Sequence, residues 1–217
     1  MTVRCDCTGH HPRRRIVLTG GPGAGKTAVL QLLKHALCEH VLILPESAGM
    51  LFSGGFPRDG DLEVRRAGQR AIFYVQRELE TAADAAHPAL VICDRGMIDG
   101  YAYWPGPEAF WNALGVEREE LFARYAAVIH LRTPGPEHGY NETAVRVESA
   151  HVAAEIDQKL LEAWAGHPHR YVVESCDNFL DKAAKAVEII RAQVPSCCRV
   201  AAVHLTPGQH AHAAAMR

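Results

Sequence analysis

The chain lacks any apolar stretch approaching the roughly 18 residues that a membrane-spanning helix needs, so no membrane association is expected. It also lacks an excess of either charge. Lys plus Arg number 23 against 25 Asp plus Glu, a net charge of −2. Such a chain offers a nucleic-acid polyanion no electrostatic handle. No internal repeat is visible. The opening stretch, "MTVRCDCTGHHPRRR", is without the apolar core of a secretory signal, and residues 1–12 read as a flexible polar arm. The seven cysteines are odd in number and scattered, which argues against a disulfide framework. Cys38 and Cys93 sit in apolar helix and strand patterns, the usual place of a reduced, buried thiol, and this points to a reducing cytoplasm. Cys5-x-Cys7 with His10 and His11 matches no standard zinc spacing, so an unstructured arm is expected there. Residues 195–217, with His204, His210 and His212, read first as a disordered low-complexity tail and second as a metal trap.

What the chain has is a core, with 48% apolar residues, and a regular alternation of short apolar runs with helical periods. Strands are expected at 14–20 ("RRIVLTG"), 41–46 ("VLILPE"), 89–96 ("ALVICDRG"), 126–133 ("AAVIHLRT") and 170–175 ("RYVVES"). Helices are expected at 25–39, with Val29, Leu32, Leu33, Ala36 and Leu37 inward, and from Asp61 to about Ala86, with Leu62, Ile72, Phe73 and Leu79 in the core. Further helices are expected at 107–114 and 117–124, from Asn141 to about Ala165 on a Val145, Val152, Ile156, Leu160 and Trp164 stripe, and at 178–194. Residues 47–60, with four glycines and a proline, read as a loop. Five strands each followed by helical sequence predict an α/β fold: a three-layer P-loop NTPase with a five-stranded parallel sheet, helices on both faces and a lid segment around 133–146. Residues 13–194 would form this one domain. Such sheets bind ligands beyond the C-terminal ends of their strands.

Gly20-x4-Gly25-Lys26-Thr27 completes the P-loop pattern between a strand and a helix. Glycines let successive N–H groups turn inward, and the helix N-terminus adds partial positive charge. The nucleotide cradle would run through Gly21, Pro22, Gly23, Ala24, Gly25, Lys26, Thr27 and Ala28. Lys26 would reach the β- and γ-phosphates, and the Thr27 hydroxyl would ligate Mg²⁺. Asp94, at the end of "LVICD", is the candidate Walker-B carboxylate for the same ion, or else a turn cap. Arg95 either contacts an acceptor phosphate or ribose or salt-bridges a neighbouring loop. Glu46, in "LPES", is either a general base toward an attacking hydroxyl or a solvated loop carboxylate. Arg132, His138 and Arg146 surround the turn-rich segment after the fourth strand, where guanidinium groups on a flap would neutralise transition-state charge. Arg132 could equally cap its strand, and Arg146 could pair with Glu142 or Glu148. Of Arg65, Arg66, Arg70 and Arg77, some fall on the acceptor side of the cleft and more on a solvated face.

Taken together, "TGGPGAGKT", "LPES", "CDRGMIDGYAYW" and "RVES" resemble the AAA-type P-loop domain related to the nicotinamide-riboside kinase part of NadR proteins. More broadly the chain is similar to thymidylate and deoxynucleoside kinases, over about residues 13–193. The resemblance implies Lys26 and Thr27 on ATP–Mg²⁺, Asp94 near the metal and Glu46 as the acceptor-side acid. It also implies Arg95 and Asp99 lining the acceptor pocket, Arg146 on the lid, and the purine held near Asp177 and Asn178. Where deoxynucleoside kinases carry Glu-Arg-Ser, this chain has Asp94-Arg95-Gly96, so their nucleoside contacts do not carry over. Two functions follow as expectations. One is ATP–Mg²⁺-dependent phosphoryl transfer to a small nucleoside-like or phosphorylated acceptor, catalysed by Lys26, Glu46, Asp94 and Arg146. The other is a regulatory switch that binds ATP or GTP, hydrolyses slowly and has no small-molecule acceptor. No Asn-Lys-x-Asp guanine-reading motif is present, which favours ATP over GTP. A monomer or homodimer is expected.

Overall fold

The computed structural model describes residues 11–34, 36–135, 150–176 and 178–198. Five short strands form one sheet: β1 (Arg15–Thr19), β2 (Val41–Leu44), β3 (Leu90–Asp94), β4 (Ala127–Leu131) and β5 (Arg170–Val173). Their order across the sheet is β2-β3-β1-β4-β5, and every neighbouring pair is parallel. β1 and β4 are buried along nearly their whole length, as expected of central strands covered on both faces.

The helices are α1 (Lys26–Lys34), α2 (Ser47–Ser53), α3 (Leu62–Ala85), α4 (Phe110–Leu114), α5 (Arg118–Phe122), α6 (Ala150–Ala163) and α7 (Phe179–Gln193). Short 3-10 helices cover Met97–Tyr103 and Ser196–Cys198. One face of the sheet meets α1 and α7, joining Leu33, Leu37, Ala183 and Ile190 to Ile16, Leu18, Ile92 and Ile129. The other face carries the aromatic layer, with Phe73, Phe110, Tyr125 and Trp164 over Val17, Val91, Cys93 and Val128. This is the expected three-layer fold. Among the described residues, no helix is long and apolar enough to cross a membrane.

Several local expectations need correction. Residues 47–53, read as loop, form α2: Ser47 is buried, and the Phe52 and Phe56 rings lie alongside Gly68 of α3. Helix α1 stops at Lys34, so Cys38 lies beyond it, in the turn leading to β2. In α3, Asp61 caps the helix through the Val64 N–H as its sequence suggests, but Leu62 is exposed and Gln76 and Glu80 take buried positions. Of the stripe expected on α6, Leu160 and, just past the helix end, Trp164 are fully buried, and only its earlier part departs. Ala153, Asp157 and Leu160 face inward and Val152 is exposed, because the buried surface of this helix is built around a carboxylate. The expected start of that helix at Asn141, with Val145, lies outside the described residues. His11 and Cys198, placed in the arm and the tail by the sequence, are half-buried and fully buried.

Candidate active site at the C-terminal edge of the sheet

The register of the sheet decides which residues meet. Leu18 of β1 lies beside Asp94 of β3, and Leu44 of β2 lies beside Cys93. The residues leaving these strands at their C-terminal ends, Gly20, Glu46 and Arg95, therefore emerge side by side.

The loop from Gly20 to Gly25 needs its glycines. Gly25 has φ +94°, and a Cβ there would stand 2.4 Å from the Phe179 ring. Three polar side chains brace the loop from behind. Asp157 accepts the Gly21 N–H at 3.1 Å, Lys182 Nζ donates to Ala24 O at 2.9 Å and also to Arg132 O, and Thr133 donates to Pro22 O at 3.2 Å. The Gly21 N–H is thus spent on Asp157, and Pro22 has none. The Ala24 N–H closes the turn onto Gly21 O at 3.3 Å, so the donors left for an anion are those of Gly23, Gly25, Lys26, Thr27 and Ala28, with Thr27 and Ala28 exposed on the first turn of α1. The Asp157 carboxylate also takes His130 Nε2 at 2.9 Å and Arg132 Nε at 2.7 Å. Burial pushes Asp157 up, and the bonds from His130, Gly21 and Arg132 outweigh it, leaving the carboxylate below its ordinary range. Arg132 therefore belongs to the bracing of the loop.

Lys26 is buried, and its Nζ donates to Gly20 O at 2.7 Å and Gly21 O at 3.2 Å. Burial and the nearby Arg95 guanidinium bring its ammonium down to about 7. Asp94, one residue past the register partner of Val17, has its carboxyl pushed up to about 6, chiefly by burial. Its Oδ1 is buried and makes no hydrogen bond among the described residues. An unmatched buried carboxylate oxygen suits a hard cation such as Mg²⁺, so Asp94 fits such an ion, and the exposed Thr27 on the first turn of α1 carries the kind of hydroxyl that would join it.

Arg95 holds the other side of this edge together. Its Nε donates to Glu46 Oε1 at 2.6 Å, and Nη1 donates to Gly20 O at 3.2 Å and Asp99 Oδ2 at 3.4 Å. The guanidinium lies 5.4 Å from the Tyr103 ring centre. Its backbone sits at φ +72°, a left-handed conformation that a non-glycine residue keeps only where its surroundings over-determine it. Of the two readings left open by the sequence, the salt bridge to a neighbouring loop is what the structure shows, and that loop carries Glu46. Burial pushes Glu46 up, but Arg95 more than reverses this, and the carboxylate stays ionised below its ordinary range.

Asp99 does not open into the cleft. It is 2% exposed, and its two oxygens accept from Thr19 Oγ1 at 2.6 Å, Trp164 Nε1 at 2.7 Å and Arg95. Its place is behind Arg95, which it orients. The same Trp164 accounts for the glycine in Asp94-Arg95-Gly96: a Cβ on Gly96 would stand 2.8 Å from the indole and 2.9 Å from Val17.

Arg146, His138 and Asp177 lie outside the described residues. Asn178 caps α7 by accepting the Leu180 N–H. On α3, Arg66 is engaged with Glu63, Glu108 and Pro105 O, and Arg77 lies against Tyr74 and Glu78, so both belong to the surface network. Sequence reasoning missed Asp157, Lys182 and Phe179. The first two look like ordinary helix positions until the fold puts them behind the P-loop. Phe179 is partly exposed beside Gly25 and has no motif of its own.

Comparison with known proteins follows the same geometry. A family model described as an AAA domain matches residues 15–179. Among solved structures, the thymidylate kinase of Candida albicans is similar with a TM-score of 0.58 at 16% identity, covering 82% of this chain and 91% of that one. The thymidylate kinase of Ehrlichia chaffeensis is similar with a TM-score of 0.55 at 12% identity, covering 82% and 98%. These likenesses establish a common fold. No curated protein matches the chain.

Proposed function

The chain belongs to the AAA-domain family, and on that premise we propose that it transfers a phosphoryl group from ATP–Mg²⁺ to a small nucleoside-like or phosphorylated acceptor. The observation that carries this reading is the Glu46–Arg95 pair, 2.6 Å apart, on the same sheet edge as the P-loop lysine. A cradle alone serves any nucleotide-binding protein. A carboxylate held ionised and oriented beside it is the added part that transfer to a hydroxyl needs.

In this reading the N–H groups of Gly23 and of Gly25 to Ala28, with the Lys26 ammonium, hold the donor phosphates. Phosphate charge arriving beside Lys26 restores the proton that burial disfavours. Mg²⁺, when bound, neutralises charge on the phosphate oxygens, with Thr27 and Asp94 to hold it. Arg95 fixes Glu46 at the position from which it accepts the proton of the acceptor hydroxyl. Asp99 and Trp164 fix Arg95. Arg146 is assigned to the lid side on sequence grounds. The fold of the two thymidylate kinases supports the reaction class, and the absence of a disulfide among the described cysteines is in keeping with a cytoplasmic setting.

Glu46→Gln tests the assignment. Affinity for ATP–Mg²⁺, measured by calorimetry, is expected to stay within a few fold, while transfer to an acceptor found in a panel of nucleosides, vitamin ribosides and their monophosphates falls by about 10²–10⁴-fold. Undiminished transfer by the variant removes Glu46 as base. If the wild type phosphorylates no member of the panel yet binds GTP tightly and hydrolyses it slowly, the protein is a nucleotide switch and the kinase reading fails.

A further inference from the structure

Four residues that play no part in the cleft meet at the opposite edge of the sheet, where the strands begin. Cys38 and His40 lie in the turn between α1 and β2, Cys198 follows α7, and His11 precedes β1. Cys38 Sγ stands 3.8 Å from His40 Nδ1, Cys198 Sγ 3.7 Å from the same nitrogen, and Cys198 Sγ 3.9 Å from His11 Nε2. The ligand atoms of Cys38, His40 and Cys198 all fall within 4.8 Å of one another. Both thiols are essentially inaccessible, at 1% and 0% exposure.

Thiol–imidazole hydrogen bonding does not account for this arrangement. An imidazole nitrogen has either one lone pair or one proton, yet two sulfurs converge on His40 Nδ1. A single ion between them would engage all the partners at once. With Zn–S of about 2.3 Å and Zn–N of about 2.0 Å, tetrahedral geometry separates sulfur from nitrogen by about 3.6 Å, close to the three observed spacings. Two thiolates and two imidazoles are the donor set that selects zinc.

The backbone prepares the turn for this use. Val41 N–H donates to Cys38 O at 3.0 Å, closing a tight turn that sets Cys38 and His40 on one side. His40 O accepts from Ala89 N–H at 2.8 Å, anchoring the turn to the start of β3. The rings of His11 and His40 meet edge to face with centres 6.4 Å apart, and His11, within reach of Cys198, stands just outside the three-residue group.

We propose that Cys38, His40 and Cys198 bind one structural zinc ion, with His11 turning in from beside Cys198 as the fourth ligand, which ties the segment before β1, the α1–β2 turn and the end of α7 together at the edge away from the P-loop. Binding releases the two thiol protons, and four protein ligands leave no position for a substrate. The proposal does not depend on the kinase reading.

The test uses the full, untagged chain produced in zinc-supplemented medium. Elemental analysis is expected to find one zinc per chain. Replacing it with Co²⁺ is expected to give the thiolate charge-transfer and intense visible bands of a tetrahedral site. His40→Gln and His11→Gln each weaken retention against a chelator by at least about tenfold, and Cys38→Ser with Cys198→Ser abolishes the cobalt thiolate bands. Three results overturn the proposal: a small fraction of an equivalent of zinc in the wild type, a Cys38–Cys198 disulfide in the unreduced protein, or full zinc retention by the double serine variant. Should that variant not fold, the wild-type stoichiometry and cobalt spectrum decide by themselves.

Discussion

At Lys26 the demands of folding and of ligand binding oppose one another. Burial and Arg95 bring the ammonium from its ordinary 10.5 to about 7, so between those values the folded chain binds fewer protons than the unfolded one. By linkage, stability contributed by this site rises with pH through that window and is lowest below it. Lys26→Met removes the burden. The variant is expected to melt higher than the wild type at neutral pH, with the gap narrowing as pH rises toward 10, while ATP–Mg²⁺ binding is lost. Melting curves across that range check the slope, and a variant that is less stable than the wild type at pH 7 contradicts the account. At the residue scale the sequence was informative where a motif states its own geometry, as the P-loop does. It left Glu46 and Arg95 open because their meeting depends on the register of β2 and β3. It suggested Asp99 as a pocket residue because nothing in "DRGMID" reveals that Thr19 and Trp164, from distant parts of the chain, occupy its oxygens.

Among the elements, α6 and α7 stand behind the P-loop and hold it by single side chains, Asp157 and Lys182. Asp157→Asn tests how far that bracing matters. An amide cannot accept from His130, Arg132 and the Gly21 N–H together, and at least one buried donor is left unmatched, at a cost of roughly 1–3 kcal/mol. Denaturant unfolding is expected to show that loss, and calorimetry a weakening of ATP–Mg²⁺ binding alongside it. Unchanged affinity in the destabilised variant shows that the contact serves stability alone. The five strands were legible because buried parallel strands are short apolar runs closed by Gly, Pro or a charge. α2 was not, since the glycines of its stretch argue for a loop and its packing against α3 joins parts of the chain that no local pattern connects. On α6 the later half of the stripe, Leu160 and Trp164, was legible and the inward place of Asp157 was not, because a buried aspartate contradicts the hydrophobic pattern used to read the helix.

For the molecule as a whole, both the P-loop cleft and the Cys/His cluster follow from one topology, in which strand ends gather functional groups at one edge and strand beginnings gather the rest at the other. The α/β class was readable from the alternation of elements. The cluster was not, since His11 and Cys198 are 187 residues apart and no spacing rule spans that distance. Their 3.9 Å approach has a consequence for the order of the chain itself. Segments flanking the domain leave it as neighbours, at the edge remote from the cleft, so the covalent path around the fold is nearly a closed ring. A circular permutant that joins residue 198 to residue 11 through a short glycine-serine linker, and begins instead at the exposed Gly115 turn, where a side chain would meet nothing within 4 Å, is expected to fold and to bind ATP–Mg²⁺ as the native order does. Circular dichroism and calorimetry check both. A permutant without native helix content contradicts the ring, whose path can be cut at one point and closed at another without moving the cleft.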